Sequence, residues 1–414
     1  MSARPGRASP FRSFARRNFR LFFAGQLVSA VGNWFTNIAV TLFVLHLTDN
    51  GVALGGIAAC QFGPMLVLSL WAGALVDRVD KRRLLVVTQV LAGLQSATFA
   101  ALAFAGRPPL AAVYLVALIG GMVLAVDVVA RRAFVVELVE PELVTNAVSL
   151  NTAIQTSSVA IGTTLAGLLV PVIGYAWCFT IDACSYLAPI AALLLMHADR
   201  IRRSPAVARE PGQVRAALRY VRATPGLWLP LALAGVIGTF TMNLQVVLPL
   251  FATRTLHSSG TMFSLLFAAV STGSLVGALW IARHTSVRVT RAVALAAGLG
   301  VAGLAFAGAP GWWTAFPVAV AFGLMMTSFT TASTGSVQLT AAPETRGRVL
   351  ALQSMVLFGG STLGGPLVGA VSQEWGARAG LALGGVAALG AAGLGVAVVR
   401  RHPGLHDDPE LATA

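Results

Sequence analysis

Long apolar runs broken by short clusters of arginine constrain this chain more than any other feature. The runs recur from end to end, and a helix of about 20 apolar residues crosses a hydrocarbon core of about 30 Å. Lipid offers no partner to backbone N–H and C=O groups, so such runs must close their hydrogen bonds internally, as helices. Charged residues make up only 11% of the chain, against about 25% in soluble domains. The sequence therefore predicts an all-α polytopic membrane protein.

The net charge of +14 does not point to nucleic acid, because the arginines sit in short clusters between apolar runs. A basic segment holding Arg4, Arg7, Arg12, Arg16, Arg17 and Arg20 precedes an apolar run to about His46. That run is too long for a signal-peptide core, so it reads as a retained first span. Further spans fall near 52–76, 84–106, 109–131, 144–173 and 175–197, then 227–251, 259–282, 290–309, 312–338, 347–372 and 378–400. The expected organisation is a basic N-terminus (1–18), a six-helix bundle (19–197), a linker (198–226), a second six-helix bundle (227–400) and a tail (401–414). Of the 29 lysines and arginines, all but Arg107, Arg254 and Arg378 fall on one side of this topology. The positive-inside bias makes that side cytoplasmic, with both termini and the linker. The excess of Arg, Ala, Gly and Val over a single lysine suggests a bacterial gene.

The two sets of six spans repeat each other. Pro141-Glu142 lies 202 residues before Pro343-Glu344, and Gly162, Gly167 and Gly174 match Gly364, Gly369 and Gly376 at the same offset. Gly32 and Asn37 match Gly238 and Asn243 at an offset of 206. Fused six-helix halves suit alternating access, in which one half rocks against the other.

The densest knot of charge is Gly73-Ala-Leu-Val-Asp-Arg-Val-Asp-Lys-Arg-Arg83, which holds the sole lysine. Gly73, Leu75, Asp77, Arg78, Asp80, Lys81 and Arg82 resemble the loop signature of the major facilitator superfamily. Asp127–Phe134, Thr180–Tyr186 and Gly359–Gly369 resemble its exporter branch of enterobactin and macrolide efflux proteins. The second half departs from the signature: Gly277-Ala-Leu279 is followed by Ile281 and Ala282 where the acid and arginine would stand. Gly162-Thr163 also stands where antiporter relatives often carry Gly-Pro.

The resemblance implies a latch between halves: Asp77 docks near Arg346 at the start of span 11, and Arg78, Lys81 or Arg82 pairs with Asp127. The other reading of this loop is a topology-setting turn. Acidic residues inside spans are costly, and Asp182 in span 6 is the best placed to carry a proton, unless it is a structural carboxylate held by neighbours such as Tyr186. Spans 1, 4, 7 and 10 line the cavity in the family. Here they offer Gln26, Asn33, Asn37, Tyr114, Asn243, Gln245, Met325 and Thr330, a neutral set suited to an amphipathic or apolar ligand; packing is the alternative for each.

Lys81 lies in a loop, so P-loop and Schiff-base chemistry are excluded, and the histidines show no His-Glu-x-x-His spacing. Cys60, Cys178 and Cys184 read as packing residues. The expectation is a secondary transporter that is no enzyme and takes no cofactor or metal. It would work as a monomer in the bilayer, exporting a drug, siderophore or secondary metabolite by proton antiport. An uptake permease or uniporter on the same fold, and a non-transporting receptor, are the alternatives.

Overall fold

The computed structural model describes residues 12–197, 199, 201, 213–258, 260–282, 288–342 and 345–402. Residues 1–11, part of the linker (198, 200 and 202–212), 259, 283–287, Pro343-Glu344 and 403–414 lie outside them. The elements are α1 (Arg17–Thr48), α2 (Gly51–Arg78), α3 (Lys81–Phe104), α4 (Leu110–Glu137), α5 (Val144–Ser185), α6 (Leu187–Leu194), α7 (Gln213–Ala223), α8 (Pro225–Phe240), α9 (Leu244–Leu250), α10 (Gly260–Ala282), α11 (Val289–Gly308), α12 (Trp312–Thr340), α13 (Arg346–Glu374) and α14 (Ala377–Arg401). No strand occurs among the described residues.

One apolar stretch needs dividing. Asn146–Leu194 runs for 49 residues, which as one straight helix at about 1.5 Å per residue would reach about 74 Å, over twice a bilayer core. Gly174 breaks it, with φ 78 and ψ 168, a left-handed conformation that only glycine adopts without cost. Both ends of the stretch return to the start of α1. Asn146 accepts from Ser13 N and Oγ at 3.2 and 2.7 Å, and His197 exchanges two bonds with Asn18 at 2.9 and 3.1 Å. The chain therefore crosses and returns, giving span 5 before Gly174 and span 6 after it. Spans 1–4 are α1–α4. Span 7 is Pro225–Thr255, and spans 8–12 are α10–α14. Gly376, 202 residues beyond Gly174, has φ 84 and ψ 159 and turns span 11 into span 12. The repeat is thus preserved as backbone conformation.

Two corrections follow. Span 4 continues to Glu137, so Arg131 is a buried residue of a helix and not part of a loop. Span 7 is broken at residues 241–243, where Asn243 leaves the helical region (φ −88, ψ 38). The Asn243 side chain donates to the Thr239 carbonyl at 2.6 Å, taking over the bond that its backbone N–H would make in a continuous helix. The matching Asn37 lies within uninterrupted α1.

Span 2 packs along span 11, and span 5 along span 8, which joins the two sets of six. On the first seam small residues bring backbones together: a Cβ on Gly55 would lie 2.6 Å from the Gly365 carbonyl. On the second, a Cβ on Gly167 would overlap Ser264. At the end remote from the termini, here the far side, Gln373 Oε1 accepts from Gly51 N at 2.9 Å and from Arg254 Nη1 at 3.0 Å. Arg254 also pairs with Asp49 Oδ1 at 3.2 Å. Asp49, which ends α1 with φ 42, offers Arg254 its backbone carbonyl as well. Gln373→Leu removes two of these bonds. At about 1 kcal/mol for each net bond, the two make about 2 kcal/mol, so a Val246→Cys reporter beside Gly369 is expected to label about thirtyfold faster with an impermeant maleimide. An unchanged rate would show that this cluster does not hold the far side shut.

Candidate functional site

Polar side chains converge inside the first six spans. On α1 Gln26, Ser29, Asn33 and Asn37 share a face by their helical spacing; on α3 Thr88, Gln89, Gln95 and Ser96 do the same. Ser29, Asn33, Asn37 and these four α3 residues line a cavity of about 60 Å³ with Gln61, Asp127, Arg131 and Tyr186.

Asp127 and Arg131, one helical turn apart on α4, form a buried ion pair. Arg131 also donates to Gln26, and Asp127 Oδ1 accepts from Thr88 Oγ1 at 2.7 Å and Gln89 Nε2 at 2.8 Å. Ser29 donates to Gln89 at 3.1 Å. One charge pair thus joins spans 1, 3 and 4. Two donors on the carboxylate and one acceptor for the guanidinium offset part of the several kcal/mol that desolvating each ion costs.

Asp182 is 1% exposed. Ser96 Oγ donates to its Oδ2 at 2.6 Å, and Ser185 Oγ to its Oδ1 at 3.4 Å. No cation pairs with it among the described residues. Gly32 makes room: a Cβ there would overlap Asp182 Oδ1. The carboxylate therefore lies against the backbone of α1, held by hydroxyls.

The start of α3, directly after span 2, anchors three helices, and Lys81 lies in it and not in a loop. Lys81 pairs with Glu137 at the end of α4 at 2.6 Å. Arg82 donates to the Leu193 and Leu194 carbonyls at 2.6 and 2.8 Å, which the end of α6 leaves open. Asp80 caps α3, accepting from Arg83 N at 3.0 Å. Gly73 is buried, and the Asp77 side chain lies outside the described residues. Arg78 and Arg346 are exposed and carry no ion pair among the described residues. Asp127 does not meet Arg78, Lys81 or Arg82 here, because Arg131 already occupies it from its own helix.

The expected cavity residues are dispersed. Gln26, Asn33 and Asn37 face the interior of the first six spans, with Asn37 Nδ2 3.5 Å from Gln61. Tyr114 donates to the Ala53 carbonyl of α2 at 3.0 Å. Asn243 sits at the break in span 7 against Gly364. Gln245 is half-buried. Met325 reaches Gly298 of span 9. Thr330 donates back into α12 at 3.0 Å. Sequence reasoning missed Arg131 and Glu137; the spacing of Asp127 and Arg131, i to i+4, was the available signal.

Eleven membrane-length apolar stretches among the described residues, one of them folded back at Gly174, with two seams joining the sets of six, define a membrane solute transporter. The chain belongs to the transmembrane secretion effector family of the major facilitator superfamily, whose profile matches residues 8–407. It is similar to the staphyloferrin A transporter of Staphylococcus aureus, at 31% identity over 43% of this chain and 45% of that protein. It is also similar to the enterobactin exporter EntS of Salmonella typhi, at 25% identity over 63% of this chain and 62% of that one. Both matches cover less than two thirds of the relatives' own length. A bacterial homologue of the lysosomal transporter Spinster, inward-facing and occupied, superposes with a TM-score of 0.74 at 12% identity, covering 95% of this chain and 98% of that one. A bacterial homologue of ferroportin, inward-facing, gives 0.72 at 15% identity, covering 92% and 98%. These two likenesses show the fold.

Proposed function

We propose that this transporter exports an amphipathic small molecule, of the siderophore class, by alternating access driven by proton antiport. The observation that carries the reading is Asp182. It is fully enclosed and contacted by hydroxyls instead of a cation. A buried carboxylate with neutral neighbours is costly when ionised, which suits a group that exchanges a proton as the halves rock. The relatives' names supply the substrate class.

The arginine distribution makes the far side extracellular and both termini cytoplasmic. On that orientation the cluster of Gln373, Gly51, Arg254 and Asp49 holds span 2 against span 11 on the outer side, which supports an outward-closed state. Exposed Arg78 and Arg346, without an ion pair among the described residues, suit a released cytoplasmic latch, with Asp77 closing it against the start of α13 in the opposite state. The chain needs no second copy for this cycle.

The test is efflux from proteoliposomes under an imposed pH gradient, with enterobactin and staphyloferrin A as probes. A protonophore is expected to abolish gradient-driven flux. Asp182→Asn is expected to lower it about tenfold or more while probe-for-probe exchange continues. Protonophore-insensitive movement would defeat antiport, and accumulation against the predicted direction would favour uptake.

A further inference from the structure

The cavity of about 60 Å³ between spans 1, 2, 3, 4 and 6 has no role in the cycle described above. It is roomy and polar. On this measure one water needs about 10–15 Å³, so the space holds about four. Three buried polar atoms on its lining residues lack a hydrogen-bond partner, Thr36 Oγ1, Asn37 Oδ1 and Arg131 Nε. Arg131 is only 7% exposed, so bulk solvent does not serve it. Orphan groups of this kind beside a void of sufficient size are the places where ordered water resides.

The cavity also has a carboxylate at each of two edges. Asp127 lines it directly, and Asp182 reaches it through Ser96, which lines it and donates to Asp182 Oδ2 at 2.6 Å. Tyr186, also on the lining, stands within electrostatic reach of Asp182, Asp127 and Arg131. From span 1 the neighbours of Asp182 are Gly32 and Thr36, from span 3 Ser96, and from span 6 Ser185 and Tyr186. Arg131 is the one cation among the cavity lining residues.

We infer that this cavity is a hydrated proton path joining Asp182 to the Asp127–Arg131 pair. It rests on the proton-antiport reading and adds to it a second carboxylate and a route inside one half. In each hop an O–H bond of the donor breaks as one forms on the next oxygen, from the Asp182 carboxyl through water to the Asp127 carboxylate. Charge within the cavity is conserved during the transfer: Asp182 gains the negative charge that Asp127 loses, and Arg131 keeps its proton. Asp127 then delivers the proton toward the ends of the helices that carry the termini.

Infrared hydrogen–deuterium exchange on the full-length protein in liposomes, with heavy water as the only probe, tests this without substrate. A protonated-carboxyl band that Asp182→Asn removes is expected to exchange readily in the wild type. Ala92→Leu, which fills the cavity with hydrocarbon, is expected to slow that exchange about tenfold or more, since exchange then awaits local opening. Gln95→Leu keeps the volume and removes a polar end. It should slow exchange in the same direction and serves if Ala92→Leu fails to fold. Exchange at the wild-type rate in a folded variant of either kind, or a wild-type band that does not exchange, would overturn the path. Protonophore-insensitive flux in the wild type would defeat the antiport reading separately, because exchange is read with no flux at all.

Discussion

Arg131→Met is expected to cost about 3–5 kcal/mol of stability, because it strands the buried Asp127 charge. Thr88 and Gln89 would remain as donors to that carboxylate, but neutral donors do not replace a guanidinium in a closed interior. Adding Asp127→Asn to the same chain is expected to recover most of the loss, since the pair is then neutral. The measurement is the thermal unfolding midpoint in detergent, followed by size-exclusion chromatography, for both single variants and the double. A single Arg131→Met variant as stable as the wild type would show that the pair is solvated, and a double variant no better than the single would show that packing, not charge, holds this site.

Gly323→Val is the second large effect expected. A Cβ on Gly323 would overlap the Val270 carbonyl, and one on the facing Gly273 would overlap the Val320 carbonyl. Both obstacles are backbone, so no rotamer change relieves them, and spans 8 and 10 must separate along their length. Overpacking of this kind costs about 1–3 kcal/mol for even small insertions, and folded yield should fall sharply. Gly390 supplies the contrast. Nothing lies within 4 Å of a Cβ there, so Gly390→Ala should be tolerated and gain a few tenths to about 1 kcal/mol of helix propensity. Equal yields for the two variants would refute the close crossing of α10 and α12.

Much of the architecture was legible because apolar runs and glycine spacing carry it directly. The offset between Gly174 and Gly376 is visible in the letters, and both residues turn the chain with the same backbone conformation. The buried charge pair was not legible. Arg131 beside Arg132 reads as a basic loop, and only the true length of α4 reveals it as one turn from Asp127. Asp80 reads in the sequence as one residue of the loop signature, and its role as the cap of α3 appears once the helix start is placed. The break in span 7 was hidden because its counterpart at Asn37 is helical, so local sequence does not decide it; the freed Thr239 carbonyl and the Asn243 side chain satisfy each other only once the chain has bent. Side chains from several helices had to be placed before the cavity existed at all.

Gly174 has one more consequence. Spans 5 and 6 are joined by a single residue, with no connecting loop to take up slack. Gly167, on the seam with span 8, and Asp182, in the polar interior, are 15 residues apart along this one folded rod. On the proposed cycle it would act as a crank: displacement of one arm against the opposite half would swing the arm that bears the carboxylate. A short flexible insertion after Gly174 should therefore uncouple seam movement from Asp182, leaving a protein that folds and rocks but whose flux no longer follows the pH gradient.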